Sequence, residues 1–351
     1  MIDFTFNNPR YMDMLNKQVI FMDQGVCYNP EYLSSRNMHD YPSRMMQIAR
    51  AVFLGELKPS AYGADIIFNS ILSGQGERWQ NFGESPNNYL WCQMISRALF
   101  AGHSLAPQFP TLPQGDAGKW AQAFAQLDGD TVLLVDQANY AYGADSAKAL
   151  ANFLNRKGIK ISGYGPYDTG WQDLATGQVQ QGIEKLNRLV ADLSGKGRVI
   201  TVSGEGHYML TVMAKELGIS YDFEVQNILD IADGIKTNNA YVYGGSFYTR
   251  YLGMADRIME LTPNKNEQPI PNNWEFQPVY EGDARVNKVN KWEVPLCAEF
   301  LNTTEKTELA SRIFYMAASR IAEIPHTQIV TLDIHAHKAV DKSLYYWELL
   351  S

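Results

Sequence analysis

The residues of this sequence with the clearest potential for chemistry lie near its C-terminus, in the segment Asp333-Ile334-His335-Ala336-His337. Carboxylate and imidazole groups suit Zn or Fe. If the segment forms a turn after a strand, the side chains of Asp333, His335 and His337 could converge on one metal ion. The alternative is a structural role or a place at a subunit interface, with no cofactor bound.

A glycine-rich turn, Ser203–His207 (SGEGH), is the second candidate. A strand that enters such a turn at the start of a helix exposes backbone N–H groups, which can hold an anion. The nucleophile elbow G-x-S-x-G is absent, because Ser203 precedes the glycines, and His207 is too close in sequence to be an obvious base for it. The chain also lacks a dinucleotide fingerprint and a P-loop. The alternative is that the glycines only relax the turn.

Three cysteines, Cys27, Cys92 and Cys297, are widely separated, and no pair has CxxC spacing. This pattern does not form a disulfide framework. Three thiolates also cannot supply a four-thiolate cluster within one chain. We therefore expect ordinary buried thiols, with a cluster shared across an interface as the alternative.

Composition excludes several classes of function. The 351 residues carry a net charge of −8 and no concentrated run of Lys or Arg, which argues against general nucleic-acid binding. Apolar stretches such as Thr131–Val135 are far shorter than the roughly 20 residues of a membrane span, and MIDFTFNNPR does not resemble an export signal. We expect a soluble, cytoplasmic protein. The 20 tyrosines suit either protein–protein contacts or core packing.

The order of elements predicts how these residues are positioned. Residues 1–128 are expected to form a helical N-terminal region and linker, and strands and helices then alternate as in parallel sheets covered by helices. Predicted strands are Thr131–Val135, Ile159–Ser162, Arg198–Ser203, Ala240–Tyr243 and Gln328–Leu332. Predicted helices are Tyr41–Leu57, Ala61–Ser73, Asn88–Phe100, Ser146–Lys157, Val179–Leu193, Tyr208–Leu217, Asn227–Ile235, Arg250–Leu261, Glu305–Ala322 and Ala336–Leu344. The expected fold is α/β, with two similar parallel-sheet halves at 129–238 and 239–351 that suggest a duplication.

Several segments carry a family resemblance. They are Val132–Tyr140 (VLLVDQANY), Tyr167–Gly177 (YDTGWQDLATG), Arg198–Leu210 (RVITVSGEGHYML), Ala240–Leu252 (AYVYGGSFYTRYL) and the strand that leads into Asp333-Ile334-His335-Ala336. In order and flanking residues they resemble the tandem CCG-domain proteins, typified by the CCG-domain subunit of heterodisulfide reductase. The resemblance spans roughly residues 120–345 and more weakly 40–100. In that family, thiolates gathered at strand ends hold an iron–sulfur cluster.

The resemblance implies a degenerate copy of that site. The positions that match the family's cluster cysteines carry Ala138, Ser203, Gly206, Ser246, Asp333 and Ala336. Without thiolates this chain is not expected to hold the cluster. Arg250 stands at the family's arginine position in the second half.

The resemblance also implies a function. The leading hypothesis is a non-catalytic assembly subunit of a heterodisulfide-reductase-like complex, with iron–sulfur and flavin subunits as partners and sulfur oxidation as a plausible setting. The rival hypothesis is an enzyme or ligand carrier that reuses the former cluster cavity. Its candidate pocket residues are Glu205, His207 and Arg250, and a metal would be held by Asp333, His335 and His337.

Overall fold

The fold is described from a computed structural model, which covers residues 11–13, 15–16, 37–40, 42–70, 72, 88–109, 111–265, 328–339 and 343–351. Within these residues it is α/β, with two parallel sheets and many helices. The predicted fold class is thus confirmed. None of the helices in these ranges combines the length and the apolar character that a bilayer crossing needs.

The described part of the N-terminal region includes the helices Pro42–Phe53, Ala61–Phe68 and Asn88–Gly102. Ser60 caps the second by accepting a hydrogen bond from the Gly63 N–H at 3.1 Å. Asn88–Gly102 is buried at every position from 90 to 100, as predicted from its apolar residues on more than one side. Cys92 is a buried thiol in this helix, whereas Cys27 and Cys297 lie outside the described residues.

The first sheet has four parallel strands in the order β2-β1-β3-β4. They are β1 (Thr131–Leu134), β2 (Ile161–Tyr164), β3 (Arg198–Thr201) and β4 (Glu224–Asn227). β1 is buried along its whole length, which explains why its apolar run TVLL shows no alternation. The sequence prediction found β1, β2 and β3 but missed β4.

The second sheet has three described strands, all parallel, in the order β5-β6-β7. They are β5 (Tyr241–Tyr243), β6 (Ile329–Thr331) and β7 (Leu344–Tyr345). The predicted closing helix Ala336–Leu344 is wrong at its C-terminal end, because the helix is Ile334–Ala339 and β7 follows it. The predicted helix Glu305–Ala322 lies outside the described residues.

Helices connect and flank the strands. They are Ala117–Ala123, Gln137–Tyr142, Ala147–Arg156, Trp171–Ala175, Val179–Leu193, Gly204–Tyr208, Ala214–Glu216, Ile228–Ile231, Ala255–Leu261 and Ile334–Ala339. Short 3-10 helices are Met38–Asp40, Ala144–Ser146 and Tyr346–Leu349, and π-helices are Met209–Met213 and Phe247–Tyr251. The expected duplication is visible only loosely: in both halves a strand and a glycine-containing turn lead into a π-helix.

One hydrophobic core joins the two sheets. Leu133 and Val202 from the first sheet belong to the same buried cluster as Val242, Leu332 and Tyr346 from the second. The other face of the first sheet packs on a second core that includes the N-terminal helices. Hydrogen bonds from Tyr345 to Asn139 and from Tyr346 to the Val202 carbonyl show that the carboxyl ends of the two sets of strands meet inside the protein.

Candidate functional site: the crevice at the strand ends

The strand order creates a crevice in the first sheet. From β1 the chain runs to β2 on one side, and from β3 it runs to β4 on the other. The connections therefore diverge between β1 and β3. In open α/β sheets, ligands bind at this switch point, outside the carboxyl ends of the strands. Asp136 and Ser203 stand at the two strand ends that border it.

At the end of β1, Asp136 organises the following helix. Its carboxylate, 1% exposed, accepts hydrogen bonds from the backbone N–H groups of Ala138 (3.1 Å) and Asn139 (3.0 Å). It also accepts one from the Asn139 side-chain amide at 2.9 Å. Ala138, which matches a predicted cluster position, is buried in the hydrophobic core. Asp136, at the end of β1, is therefore the N-cap of the helix Gln137–Tyr142.

At the end of β3, Ser203 plays the same part. Its hydroxyl accepts a hydrogen bond from the Gly206 N–H at 3.0 Å and caps the helix. A Cβ atom on Gly206 would lie 2.6 Å from a methyl group of Leu134. Both predicted cluster positions of this turn are therefore closed by packing, and even a small side chain at 206 would require Leu134 to move.

The three predicted pocket residues have separate surroundings. Glu205 is buried and accepts a hydrogen bond from the Thr169 hydroxyl at 2.7 Å. His207 bonds through Nδ1 to the Thr201 hydroxyl at 3.0 Å. Arg250 lies in the π-helix Phe247–Tyr251 of the second half, and only its backbone is described.

The environment of His207 favours the neutral imidazole. Burial lowers the pKa of His207 below its ordinary value, and the nearby Asp230 carboxylate opposes this only in part. The Asn227 amide donates to the same Thr201 hydroxyl at 3.2 Å. His207 is therefore part of a hydrogen-bonded group at the ends of β3 and β4.

In the second half, the predicted cluster positions are also packed. Ser246 is 2% exposed and Ala336 is 1% exposed. Gly245 has φ +76°, and a Cβ atom there would lie 2.8 Å from the Cβ of Asp333. Asp333 itself accepts a hydrogen bond from the Ala336 N–H at 2.9 Å. As in the first half, a polar residue caps the helix where the family resemblance places a thiolate.

The expected convergence of Asp333, His335 and His337 on a metal is not found. Within the described ranges, no group of three or more His, Cys, Asp or Glu side chains is placed to hold a metal ion. The physical reason is that the segment begins a helix instead of forming an extended turn, so alternate side chains point to different sides. The ring of His335 meets Tyr142 edge-on, whereas that of His337 packs against Tyr345, with centroids 5.2 Å apart.

His337 has a structural environment. Its Nδ1 bonds to the Ser343 hydroxyl at 3.0 Å and so ties the helix Ile334–Ala339 to the start of β7. Burial lowers the pKa of His337, and Glu348 partly opposes the shift. A neutral imidazole is the form that this packing accommodates.

The chain's own C-terminal aromatic residues fill the crevice between β1 and β3. The Tyr346 hydroxyl donates a hydrogen bond to the backbone carbonyl of Val202, directly after β3. The Tyr345 hydroxyl donates to the side-chain carbonyl of Asn139 at 2.5 Å. The two tyrosines and Trp347 are buried, and the ring centroids of Tyr345 and Trp347 lie 4.8 Å apart.

A residue of the second half completes this aromatic group. Tyr248 is 1% exposed, and its hydroxyl lies beside that of Tyr346. The preceding residue, Phe247, packs so closely on Gly204 that a Cβ atom at position 204 would lie 2.5 Å from the Phe247 Cβ. Sequence reasoning missed Tyr248, Tyr345 and Tyr346. The aromatic run Tyr345-Tyr346-Trp347 is visible in the sequence, but it does not indicate which residues these side chains contact.

The candidate site is therefore a switch-point crevice that the protein occupies with its own side chains. We refer to Tyr248, Tyr345, Tyr346 and Trp347 as the tyrosine plug. Comparison of the chain with family models, with curated proteins and with solved structures finds no match.

Proposed function

We propose that this protein is a non-catalytic structural subunit of a cytoplasmic, heterodisulfide-reductase-like electron-transfer complex. Its partners would be the iron–sulfur and flavin subunits, in a pathway of sulfur oxidation. The proposal joins the resemblance of the sequence to tandem CCG-domain proteins with the fold, in which two parallel sheets meet at their carboxyl ends.

The observation that carries the proposal is the tyrosine plug. The crevice where α/β domains bind ligands is filled by buried side chains of the same chain, and these side chains join the two sheets. A protein that keeps the frame of a cofactor domain but fills its crevice retains the means to dock partners, since docking depends on surface residues elsewhere.

The residues at the predicted cluster positions support the same conclusion. A cluster of this kind needs thiolate ligands, and none of the six positions supplies one. Ser203 and Asp333 cap helices, and Gly206 is in close contact with Leu134. These residues stabilise the turns that a cluster would otherwise organise.

A surface suited to docking lies in the N-terminal region. Four of the large apolar side chains that are exposed in the described ranges fall within residues 38–62: Met38, Leu54, Leu57 and Tyr62. Met38 and Tyr62 belong to elements that contact each other, the 3-10 helix at 38–40 and Ala61–Phe68, whereas Leu54 and Leu57 directly follow Pro42–Phe53. Large apolar residues exposed on a surface are typical of protein–protein interaction sites.

The proposal is tested by isolating the tagged full chain from its native cells and identifying its stable partners by mass spectrometry. We expect cluster-bearing and flavin-bearing subunits in stoichiometric amounts. Leu54→Glu together with Leu57→Glu should reduce their recovery at least tenfold. The matched control is Leu127→Glu, an equally exposed leucine (49%) outside this surface, which should leave recovery unchanged. Recovery of the chain without such subunits would refute the proposal.

A further inference from the structure

We propose that a surface cleft at the amino end of β2 binds a free amino acid with an apolar side chain. The cleft lies between the end of the helix Ala147–Arg156, the start of β2 and the segment that follows the helix Ala117–Ala123. The tyrosine plug lies at the carboxyl ends of the strands, so the cleft belongs to the other end of the first sheet. The proposal is therefore independent of the plug and of the assembly role.

The size and the floor of the cleft limit the apolar part of its ligand. The volume is about 260 Å³, slightly below the range of about 300–1,000 Å³ that is usual for drug-sized ligands. Buried apolar side chains, none more than 8% exposed, form the floor: Phe124, Ala151, Leu154 and Ile161. Apolar groups gain free energy when they leave water for such a surface. A ligand with one aliphatic side chain fits these limits.

The mouth of the cleft carries one charge of each sign. Asp128 and Lys160 both line it, and the Asp128 Oδ2 and Lys160 Nζ atoms lie 2.8 Å apart. The hydrogen bond between them lowers the pKa of Asp128 and raises that of Lys160, so both are charged at neutral pH. An ion of a single sign would meet one attractive and one repulsive group. A zwitterion is attracted by both, because its ammonium group pairs with Asp128 and its carboxylate with Lys160.

These charged side chains can separate around a ligand at little cost. The side chains of Asp128 and Lys160 are 57% and 68% exposed, and exposed ion pairs contribute little to stability. Gln126 and Asn155, also exposed at the mouth, carry amides that can both donate and accept hydrogen bonds. The cleft thus combines an apolar floor with polar groups that match the two ends of a free amino acid.

Calorimetric titration of the full chain tests the proposal with leucine and with three analogues that each lack one of its groups. Glycine lacks the aliphatic side chain, isocaproate lacks the ammonium group and isoamylamine lacks the carboxylate. We expect leucine to bind with a dissociation constant of about 1 mM, because the contacts at the mouth are exposed to water. Each analogue should bind at least about fivefold more weakly, the factor that corresponds to roughly 1 kcal/mol.

Variants show whether leucine binds in the cleft. Lys160→Gln and Asp128→Asn should each weaken leucine binding at least about fivefold. The matched control is Lys148→Gln, which changes an exposed lysine of the helix Ala147–Arg156 that does not line the cleft and should leave binding unchanged. All three side chains are exposed, so we expect the variants to fold, and thermal melts check this.

Three results would overturn the proposal. They are the absence of leucine binding at about 10 mM, an analogue that binds as tightly as leucine, or Lys160→Gln and Asp128→Asn variants that bind leucine like wild type. None of these results bears on the recovery of partner subunits.

Discussion

Replacing Tyr345 by Phe isolates one hydrogen bond of the tyrosine plug. The hydroxyl of Tyr345 donates to Asn139 at 2.5 Å, and both residues are buried. The ring remains, so its packing on Tyr346 (centroids 5.0 Å apart) and on Trp347 is retained. The change leaves the buried Asn139 carbonyl without this donor, and we expect the free energy of unfolding to fall by about 1–3 kcal/mol. Urea unfolding at constant pH measures it.

Two controls identify the source of this loss. Tyr221→Phe changes a tyrosine that is 36% exposed and should alter the free energy of unfolding by less than about 0.5 kcal/mol. In a double-mutant cycle, Tyr345→Phe and Asn139→Ala should be coupled by at least about 0.5 kcal/mol. If Tyr345→Phe is as stable as wild type, or if the cycle shows no coupling, the plug does not join the two sheets in the way described.

Two further perturbations probe the same region. Gly204→Ala would place a Cβ atom 2.5 Å from Phe247 and should lower the free energy of unfolding by about 1–3 kcal/mol. The control is Gly163→Ala, which should be tolerated because no atom lies within 4 Å of its Cβ. Thermal melts of the two variants measure the difference. Stability should also depend on pH through His207, whose pKa is lowered by burial. Its contribution to stability is complete above the ordinary value of 6.5 and is lost as the pH falls below it. His207→Gln should therefore reduce the fall in the urea midpoint between pH 7 and pH 5, and the part that remains includes the contribution of His337.

The local pattern of apolar residues predicted helices and strands well where they are amphipathic or uniformly apolar. The helix Val179–Leu193 was predicted with its observed bounds, because Leu186, Leu189 and Leu193 recur at helical spacing and are buried. β1 was found from its apolar run. β4 was missed because its sequence, EVQN, is mostly polar and only its last residue is buried. β7 has two residues, too few for any alternation.

The candidate site was harder to predict because distant contacts determine it. Asp333 and His335 were expected to converge on the assumption of a turn, but Asp333 caps a helix that separates them. The contact between Tyr346 and Val202 joins residues 144 positions apart and leaves no local pattern. The resemblance to CCG-domain proteins directed attention to these strand ends, but it did not predict that tyrosines would fill the space between them.

The proposal that this chain is a structural subunit without a cluster of its own is tested most directly by the content of iron and acid-labile sulfide per chain. Both are determined under anaerobic conditions, for the purified chain and for its complex from native cells. We predict none in the purified chain and stoichiometric amounts in the complex. Iron and sulfide bound to the purified chain, with the visible absorbance of a cluster, would contradict this role.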